Sequence, residues 1–288
     1  MREELSPELL YGAIADAAAE GYTVVSVSGG EPLLYRPLAG LLRNARDHEL
    51  QTTVTTNGML LDERCLGALR GITTLLAISL DGVPESHNRM RASERAFATM
   101  ASRLDGVRRF GIPFGFIFTF TQFNLHKLAW VTDFALQQGA SFLHIHPLEE
   151  VGRAQPLLAG ARPDDIEFAH RASVHAQPER ARIGDPIADP GASRLADLLS
   201  PPVIERDGTV VPLQFGFPRA YALGNLKETS LHDLGVRWRR ESHGRFRDLC
   251  HRAFSTAIAD ASPLLNWYET MSRLAGESAS QHPIPVPA

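Results

Sequence analysis

The chain has 288 residues, 44% of them hydrophobic and 22% charged, which is the balance of a globular protein with one large domain or a domain and an appendage. Its formal net charge of −4 argues against a nucleic-acid or anionic-membrane surface, and no run of about 18 apolar residues predicts a transmembrane helix. The charged start, MREELSPELLYG, lacks a signal-peptide core, and the only cysteines, Cys65 and Cys250, are too few for a disulfide framework, so we expect a cytoplasmic protein.

The first half of the chain alternates between short β-branched segments and longer segments with helical spacing. Strands are predicted at 23–28, 51–56, 73–79, 113–121 and 141–146, and helices at 7–20, 38–48, 62–69, 95–110 and 125–138. Repeats of strand and helix at intervals of roughly 25 to 35 residues predict βαβ units and a parallel sheet, either a barrel or a doubly wound sheet. Four glycines follow helices and suit helix C-caps: Gly21, Gly71, Gly111 and Gly139.

Polar segments follow each predicted strand. In chain order they are GGEP, NG, LDG, TQFN and HPLEE. The C-terminal ends of all strands in a parallel β/α barrel meet at one mouth, so these segments predict one shared pocket. Glycine, asparagine and aspartate are also ordinary turn formers, but turn formation does not explain Glu31 or the pair His144 and His146.

The second half of the chain changes in composition. Residues 151–202 are rich in alanine, proline and arginine, and we predict a linker with one helix at 164–175. Residues 203–274 form a predicted extension that starts with a β-hairpin turning at Asp207-Gly208 and continues with helices. Residues 275–288 are rich in serine and proline and are predicted to be disordered. The barrel segment itself is predicted at 1–150.

The GGEP segment has the chemistry of an amino-acid binding turn. Gly29 and Gly30 let backbone groups approach a ligand closely, Glu31 could accept from an ammonium group, and Pro32 closes the turn. Together they suit a zwitterion. Three polar residues at the next two strand ends suit ribose hydroxyls: Asn57, Ser79 and Asp81. Asp81 could equally cap the turn that follows it.

Three segments in this order and spacing resemble the radical S-adenosylmethionine (radical SAM) superfamily: SGGEPLL, TTNGMLL and ISLDGVPESHNRMRASERAF. The closest resemblance is to the branch with a SPASM or twitch-type extension, which contains peptide-modifying and cofactor-maturation enzymes. It covers residues 5–150 well and 203–235 weakly. It implies an α/β fold, a partial (β/α)6 TIM-like barrel with a small α+β C-terminal extension.

The resemblance also implies a cofactor and its contacts. The GGE turn would bind the methionyl amine of S-adenosyl-L-methionine (SAM). Ser79 and Arg91 match positions that contact its ribose and carboxylate, and Leu148 matches a position that packs near its adenine.

The sequence departs from the family pattern at its cysteines. The family holds a [4Fe–4S] cluster with three cysteines in a CxxxCxxC loop after the first strand, and that strand would precede EELSPELL. We therefore expect the first strand to be absent and the cluster not to be ligated by this chain. Cys65 is predicted to pack in the core. Leu213 takes the place of a cysteine in the SPASM pattern, and Cys250 alone could not hold an auxiliary cluster.

Two histidines near the end of the fifth predicted strand could also carry function. His144 and His146 share one face of a strand and could bind a metal, act as acid and base, or form a hydrogen-bonded pair. No third ligand is identifiable, so we predict no metal site. His87 and Arg89 are predicted to lie in a solvated loop.

Three interpretations of function stay open. The first is a radical SAM enzyme that modifies a peptide or cofactor precursor and whose cluster loop lies upstream of this start; the exposed edge of the 23–28 strand favours it. The second is a degenerate, non-catalytic member that acts as a SAM- or substrate-binding partner subunit. The third is an unrelated β/α-barrel lyase or hydrolase that uses Glu31, Asp81 and His146. The second interpretation implies a partner protein. The sequence identifies neither the substrate nor a catalytic residue.

Overall fold

The computed structural model of the chain describes residues 4–148, 201–259 and 267–281. These residues fall into two compact units, with a boundary after Tyr22. Residues 23–148 form the first, which we call the sheet unit. Residues 4–22, 201–259 and 267–281 form the second, which we call the hairpin unit. The predicted linker helix lies outside the described residues, and the predicted domain limits at 150 and 202 stay predictions.

The sheet unit contains a five-stranded parallel sheet. Its strands are β1 (Val24–Val27), β2 (Gln51–Thr56), β3 (Leu75–Ser79), β4 (Phe114–Phe120) and β5 (Leu143–Pro147). They pair in the order β1-β2-β3-β4-β5, and every pair is parallel. A doubly wound sheet reverses its strand order, whereas a β/α barrel keeps chain order. The predicted parallel sheet is confirmed, and its order is that of a barrel.

Helices connect the consecutive strands of the sheet unit. They are α2 (Leu38–Asp47), α3 (Glu63–Leu69), α4 (Pro84–Met90), α5 (Ala96–Arg109) and α6 (Leu128–Gln137), with 3₁₀ turns at Pro32–Leu34 and Leu125–Lys127. The predicted glycine caps are confirmed where α3, α5 and α6 end, because Gly71, Gly111 and Gly139 have φ of 75°, 66° and 72°. One apolar core, which includes Leu76, Ile78 and Phe116, lies between sheet and helices.

Helix α4 corrects the predicted loop around His87 and Arg89. Pro84 occupies the first turn of this helix, where its fixed φ and missing N–H cost nothing. His87 is 0% exposed, while Arg89 is exposed. The predicted solvated loop is therefore wrong for His87. The segment has no apolar periodicity because the group that α4 buries is polar.

The hairpin unit combines an N-terminal helix with the C-terminal segments. Its elements are α1 (Pro7–Ala19), β6 (Pro202–Ile204), β7 (Thr209–Pro212), β8 (Gly224–Asn225), α7 (Leu231–Glu241), α8 (His243–Ala259) and α9 (Trp267–Gln281). Strands β6, β7 and β8 form an antiparallel sheet. The predicted turn at Asp207-Gly208 is confirmed: Gly208 has a φ of 91°, and the Thr209 N–H donates to the Asp207 carboxylate at 2.9 Å.

Two features of the hairpin unit differ from the sequence expectation. Helix α9 extends to Gln281, so the disordered tail predicted from residue 275 is wrong at its start; Leu274 and Ala275 are buried in the core and keep this segment helical. Helix α1 groups with this unit rather than with the sheet. Within the described ranges, no helix is both long and apolar enough to cross a bilayer.

Candidate functional site

The carboxyl ends of neighbouring strands meet at one edge of the sheet. Val27 of β1 is level with Val54 of β2, and Thr56, the last residue of β2, is level with Ile78 of β3. The loops after β1, β2 and β3 therefore start from one edge, as the barrel arrangement requires. We call this edge, with residues 29–32, 57–58, 79–81 and 91, the candidate site.

The turn after β1 presents bare backbone. Gly29 has a φ of 131°, a conformation that residues with a side chain rarely adopt. A Cβ atom built on Gly29 or on Gly30 would meet no atom within 4 Å. Pro32 is buried and begins the 3₁₀ turn that follows. The backbone of the two glycines thus borders open space, which is the condition for close approach by a ligand.

The Glu31 carboxylate accepts hydrogen bonds from groups of the protein itself. One carboxylate oxygen accepts from the Thr56 hydroxyl at 2.7 Å and from the Leu33 N–H at 3.2 Å, and the other accepts from the Asn57 N–H at 2.9 Å. The sequence suggested that this carboxylate could meet a ligand ammonium. In the structure it fixes the glycine turn to the end of β2.

Asp81 and Arg91 form an ion pair at the end of β3. Arg91 donates through Nε to Oδ2 at 2.6 Å and through Nη2 to Oδ1 at 3.1 Å. The side chain of Asp81 is 1% exposed, and that of Arg91 is 31% exposed. Both carboxylate oxygens are occupied and shut off from solvent. The suggestion that Asp81 meets ribose hydroxyls is therefore corrected: Asp81 holds Arg91, and Arg91 faces outward.

Two buried residues complete this ion pair: His87, which the sequence placed in a solvated loop, and Asn124, whose segment TQFN was expected near the pocket without a role for this residue. The Asp81 N–H donates to Nδ1 of His87 at 3.2 Å, and Nδ2 of Asn124 donates to the Asp81 carbonyl at 3.0 Å. Burial lowers the pKa of His87 to about 4; the Asp81 carboxylate opposes this change and Arg91 adds to it. The ring is therefore neutral at ordinary pH. The HxxxR spacing in SHNRMR, one helical turn, was the available signal.

The remaining predicted site residues have simpler settings. Asn57 is half-buried, and its side-chain oxygen accepts from the Met59 N–H at 2.9 Å and closes a turn. Ser79 is half-buried as the last residue of β3. Leu148 is half-buried after β5, and its N–H donates to the Phe120 carbonyl at 2.9 Å. The roles of these residues toward a ligand stay predictions.

His144 and His146 lie side by side on β5, as their spacing predicted. Their ring centroids are 5.6 Å apart, and Nε2 of His146 is 3.3 Å from the Thr119 hydroxyl. Across residues 4–148, 201–259 and 267–281, no group of three or more His, Cys, Asp or Glu side chains is placed to hold a metal ion.

Comparison with known proteins points to one family. Residues 1–135 match the family model described as the radical SAM superfamily. This part of the chain is similar to that superfamily. The match argues against the interpretation as an unrelated β/α-barrel lyase or hydrolase. The expected partial-barrel α/β fold is confirmed by solved structures of similar architecture.

The names of two curated relatives of the chain describe different activities. It is 28% identical over 156 residues to the Fe-coproporphyrin III synthase of Methanosarcina barkeri, a match over 54% of this chain and 39% of the relative. It is 24% identical over 243 residues to the sporulation killing factor maturation protein SkfB of Bacillus subtilis, a match over 81% of this chain and 58% of the relative. The chain thus spans less than two thirds of either relative.

Two solved structures are similar to the chain in fold, at low sequence identity. Native anSMEcpe with bound AdoMet and Kp18Cys peptide has a TM-score of 0.56 at 17% identity, with 96% of this chain and 89% of that chain covered. Streptococcus suis SuiB bound to the precursor peptide SuiA has a TM-score of 0.53 at 16% identity, with 59% and 38% covered.

The two cysteines of the chain do not fit the cluster that the family implies. Cys65 lies in α3, and burial, followed by the charges of Asp62 and Glu31, raises the pKa of its thiol to about 11. Cys250 is buried in the hairpin unit, and burial raises the pKa of its thiol to about 11 as well. Iron–sulfur clusters are held by thiolates, and typically by more than two. Two protonated thiols, one in each unit, are not such a ligand set.

The position of the SPASM cysteine also lacks a cluster ligand in this chain. Leu213, which takes the place of a SPASM cysteine, is buried in the apolar core of the hairpin unit. Its backbone has a φ of 74°, which costs a leucine roughly 1–2 kcal/mol. Burial of its side chain offsets that cost. This position serves packing.

Proposed function

We propose that the candidate site binds SAM. The observation that carries the proposal is the pairing of two features at one sheet edge: the open backbone of Gly29 and Gly30, and the outward guanidinium of Arg91. Carbonyl groups of the glycine turn would accept from the methionyl amine, and Arg91 would donate to the methionyl carboxylate. Asn57 and Ser79 would meet the ribose, and Leu148 would pack near the adenine.

We propose a peptide as the substrate class. SkfB is named as a maturation protein of a killing factor, and the SuiB structure contains a precursor peptide, so both relatives support this class. A cofactor precursor is the other class, supported by the name of the Methanosarcina relative. The extension after residue 203 would be a SPASM- or twitch-like element without an auxiliary cluster.

A second candidate function follows from the cysteines. Cys65 and Cys250 do not fit a [4Fe–4S] cluster, so we derive no chemical step through one. Radical chemistry would need thiolate ligands other than these two. A non-catalytic subunit that binds SAM or substrate beside a partner protein needs none. Anaerobic treatment of this chain with iron and sulfide tests the point: we expect no stable cluster absorbance, and a stable cluster would overturn this second function.

Calorimetric titration with SAM tests the binding proposal, and a pair of glycine variants locates the site. Neither Gly30 nor Gly12 has an atom within 4 Å of an added Cβ, so Gly30→Val and Gly12→Val should both fold. We expect SAM to bind the wild type and Gly12→Val, and binding to Gly30→Val to fall at least about tenfold because the side chain fills the space beside the turn. No heat from wild type, or equal affinity in all three proteins, would contradict the proposal.

A further inference from the structure

A buried polar network lies behind the guanidinium of Arg91, and it consists of Asp81, His87 and Asn124. We propose that Asp81 and His87 are positioning residues, which fix the Arg91 guanidinium in place for the carboxylate of the ligand without touching the ligand themselves. The inference rests on the proposed function, because it takes Arg91 as the group that receives a ligand carboxylate.

Every polar group of Asp81 is committed within the network. Its N–H donates to Nδ1 of His87, its carbonyl accepts from Nδ2 of Asn124, and its two carboxylate oxygens accept from Nε and Nη2 of Arg91. Asn124 also donates to the Thr119 carbonyl at 3.0 Å, which ties Asp81 to the end of β4. The Asp81 backbone is thus fixed on both sides, and its buried carboxylate holds the Arg91 guanidinium through two hydrogen bonds.

Burial changes sharply across the ion pair. The side chains of His87 and Asp81 are 0% and 1% exposed, whereas that of Arg91 is 31% exposed. Among the described residues, no hydrogen bond engages Nη1 of Arg91, so its two N–H groups can donate to a ligand. An arginine that is already ordered loses little rotamer freedom on binding, and this raises affinity for an anion.

The placement of His87 favours a role beyond stability. His87 and Arg91 are one turn apart, and the Arg91 N–H donates to the His87 carbonyl at 2.9 Å. Because Nδ1 accepts from Asp81, the proton of the neutral ring is on Nε2. Within the described part of the chain, that buried Nε2–H has no hydrogen-bond partner, although the ring packs edge-on against Phe97 at 6.0 Å. An unsatisfied buried donor is costly, and an apolar residue would avoid that cost. The feature that histidine supplies and an apolar residue lacks is the Nδ1 acceptor toward Asp81.

The test compares SAM with its decarboxylated analogue, S-adenosylmethioninamine, in calorimetric titrations of the full chain. The ratio of the two affinities reports the carboxylate contact and is insensitive to a general loss of folding. We expect the wild type to prefer SAM by about tenfold or more, the range for a hydrogen bond to a charged group. The ratio should fall at least about threefold in His87→Leu and in the near-isosteric Asp81→Asn. It should be retained in His87→Asn, whose side-chain oxygen can accept near the Nδ1 position.

Arg89→Ala is the matched control, because it removes an exposed arginine from the same helix and should leave the ratio unchanged. Unchanged ratios in folded His87→Leu and Asp81→Asn would overturn the positioning role while SAM binding stands. If His87→Leu does not fold, the ratio of Asp81→Asn decides in the same way. A wild type that binds SAM no better than the analogue would instead overturn the Arg91 contact of the proposed function, and the inference with it.

Discussion

The hydroxyl of Thr56 donates to the carboxylate of Glu31 at 2.7 Å and so joins the turn after β1 to the last residue of β2. The same hydroxyl accepts from the Gly58 N–H at 3.1 Å. Thr56→Val keeps the shape and removes both bonds, so we expect the free energy of unfolding to fall by about 2 kcal/mol. Thr55→Val is the control, because the half-buried Thr55 forms no side-chain hydrogen bond among the described residues. Equal urea unfolding curves for the two variants would refute this.

Gly58 and Gly71 offer a matched test of packing beside the site. Their φ angles are 76° and 75°, but an added Cβ would lie 2.7 Å from Cγ of the buried Met100 at Gly58 and would meet nothing within 4 Å at Gly71. Both alanine variants pay the same backbone cost. Gly58→Ala should therefore be less stable than Gly71→Ala by about 1–3 kcal/mol in thermal or urea unfolding, the usual cost of overpacking. A difference near zero would show that Met100 moves freely.

The buried His87 makes stability depend on pH. Burial lowers the pKa of His87 from 6.5 to about 4, so between these values the unfolded chain binds a proton here and the folded chain does not. The stability that the neutral, buried His87 ring contributes is fully present above pH 6.5 and is lost as the pH falls toward 4. Between pH 7 and pH 5, wild type should lose about 2 kcal/mol more than His87→Gln. Identical losses in urea titrations at the two pH values would contradict a neutral buried ring.

Both thiols should react slowly in the folded protein. Burial raises the pKa of Cys65 and of Cys250 to about 11, and the Asp62 charge contributes at Cys65. Asp62 also caps α3 by accepting from the Cys65 N–H at 2.8 Å. Asp62→Asn keeps an acceptor for the cap and removes the charge, so alkylation of Cys65 at pH 8 should accelerate roughly fivefold, the equivalent of about 1 kcal/mol of repulsion in water. Cys250 supplies the internal control, and mass spectrometry of the alkylated peptides separates the two. An unchanged Cys65 rate would exclude the charge effect.

The strands of the sheet unit were predictable because each is a short segment rich in β-branched or aromatic residues, and the helices because their apolar residues have helical spacing. β2 shows the simplest case: four threonines and one valine follow Gln51, and Thr52, Val54 and Thr56 are buried. The glycine turn was predictable for a similar reason, since an open backbone at a strand end requires glycine. These signals are local, and the sequence contains all of them.

The network around Asp81 was not predictable in the same way. Helix α4 buries a histidine rather than an apolar residue, so its sequence has no apolar face and is typical of a solvated loop. The partners of Asp81 come from α4 and from the turn after β4, and only the folded chain brings His87 and Asn124 together. The end of α9 was misjudged for a related reason: buried Leu274 and Ala275 outweigh a composition rich in serine.

A crystal structure of the chain soaked or grown with SAM tests the central claim most directly. The account predicts the methionyl amine against the backbone of Gly29 and Gly30, and the methionyl carboxylate within hydrogen-bonding distance of Arg91. Arg91 should still be paired with Asp81 in that complex. SAM bound away from the carboxyl edge of the sheet, or a ligand carboxylate that Arg91 does not reach, would contradict the account.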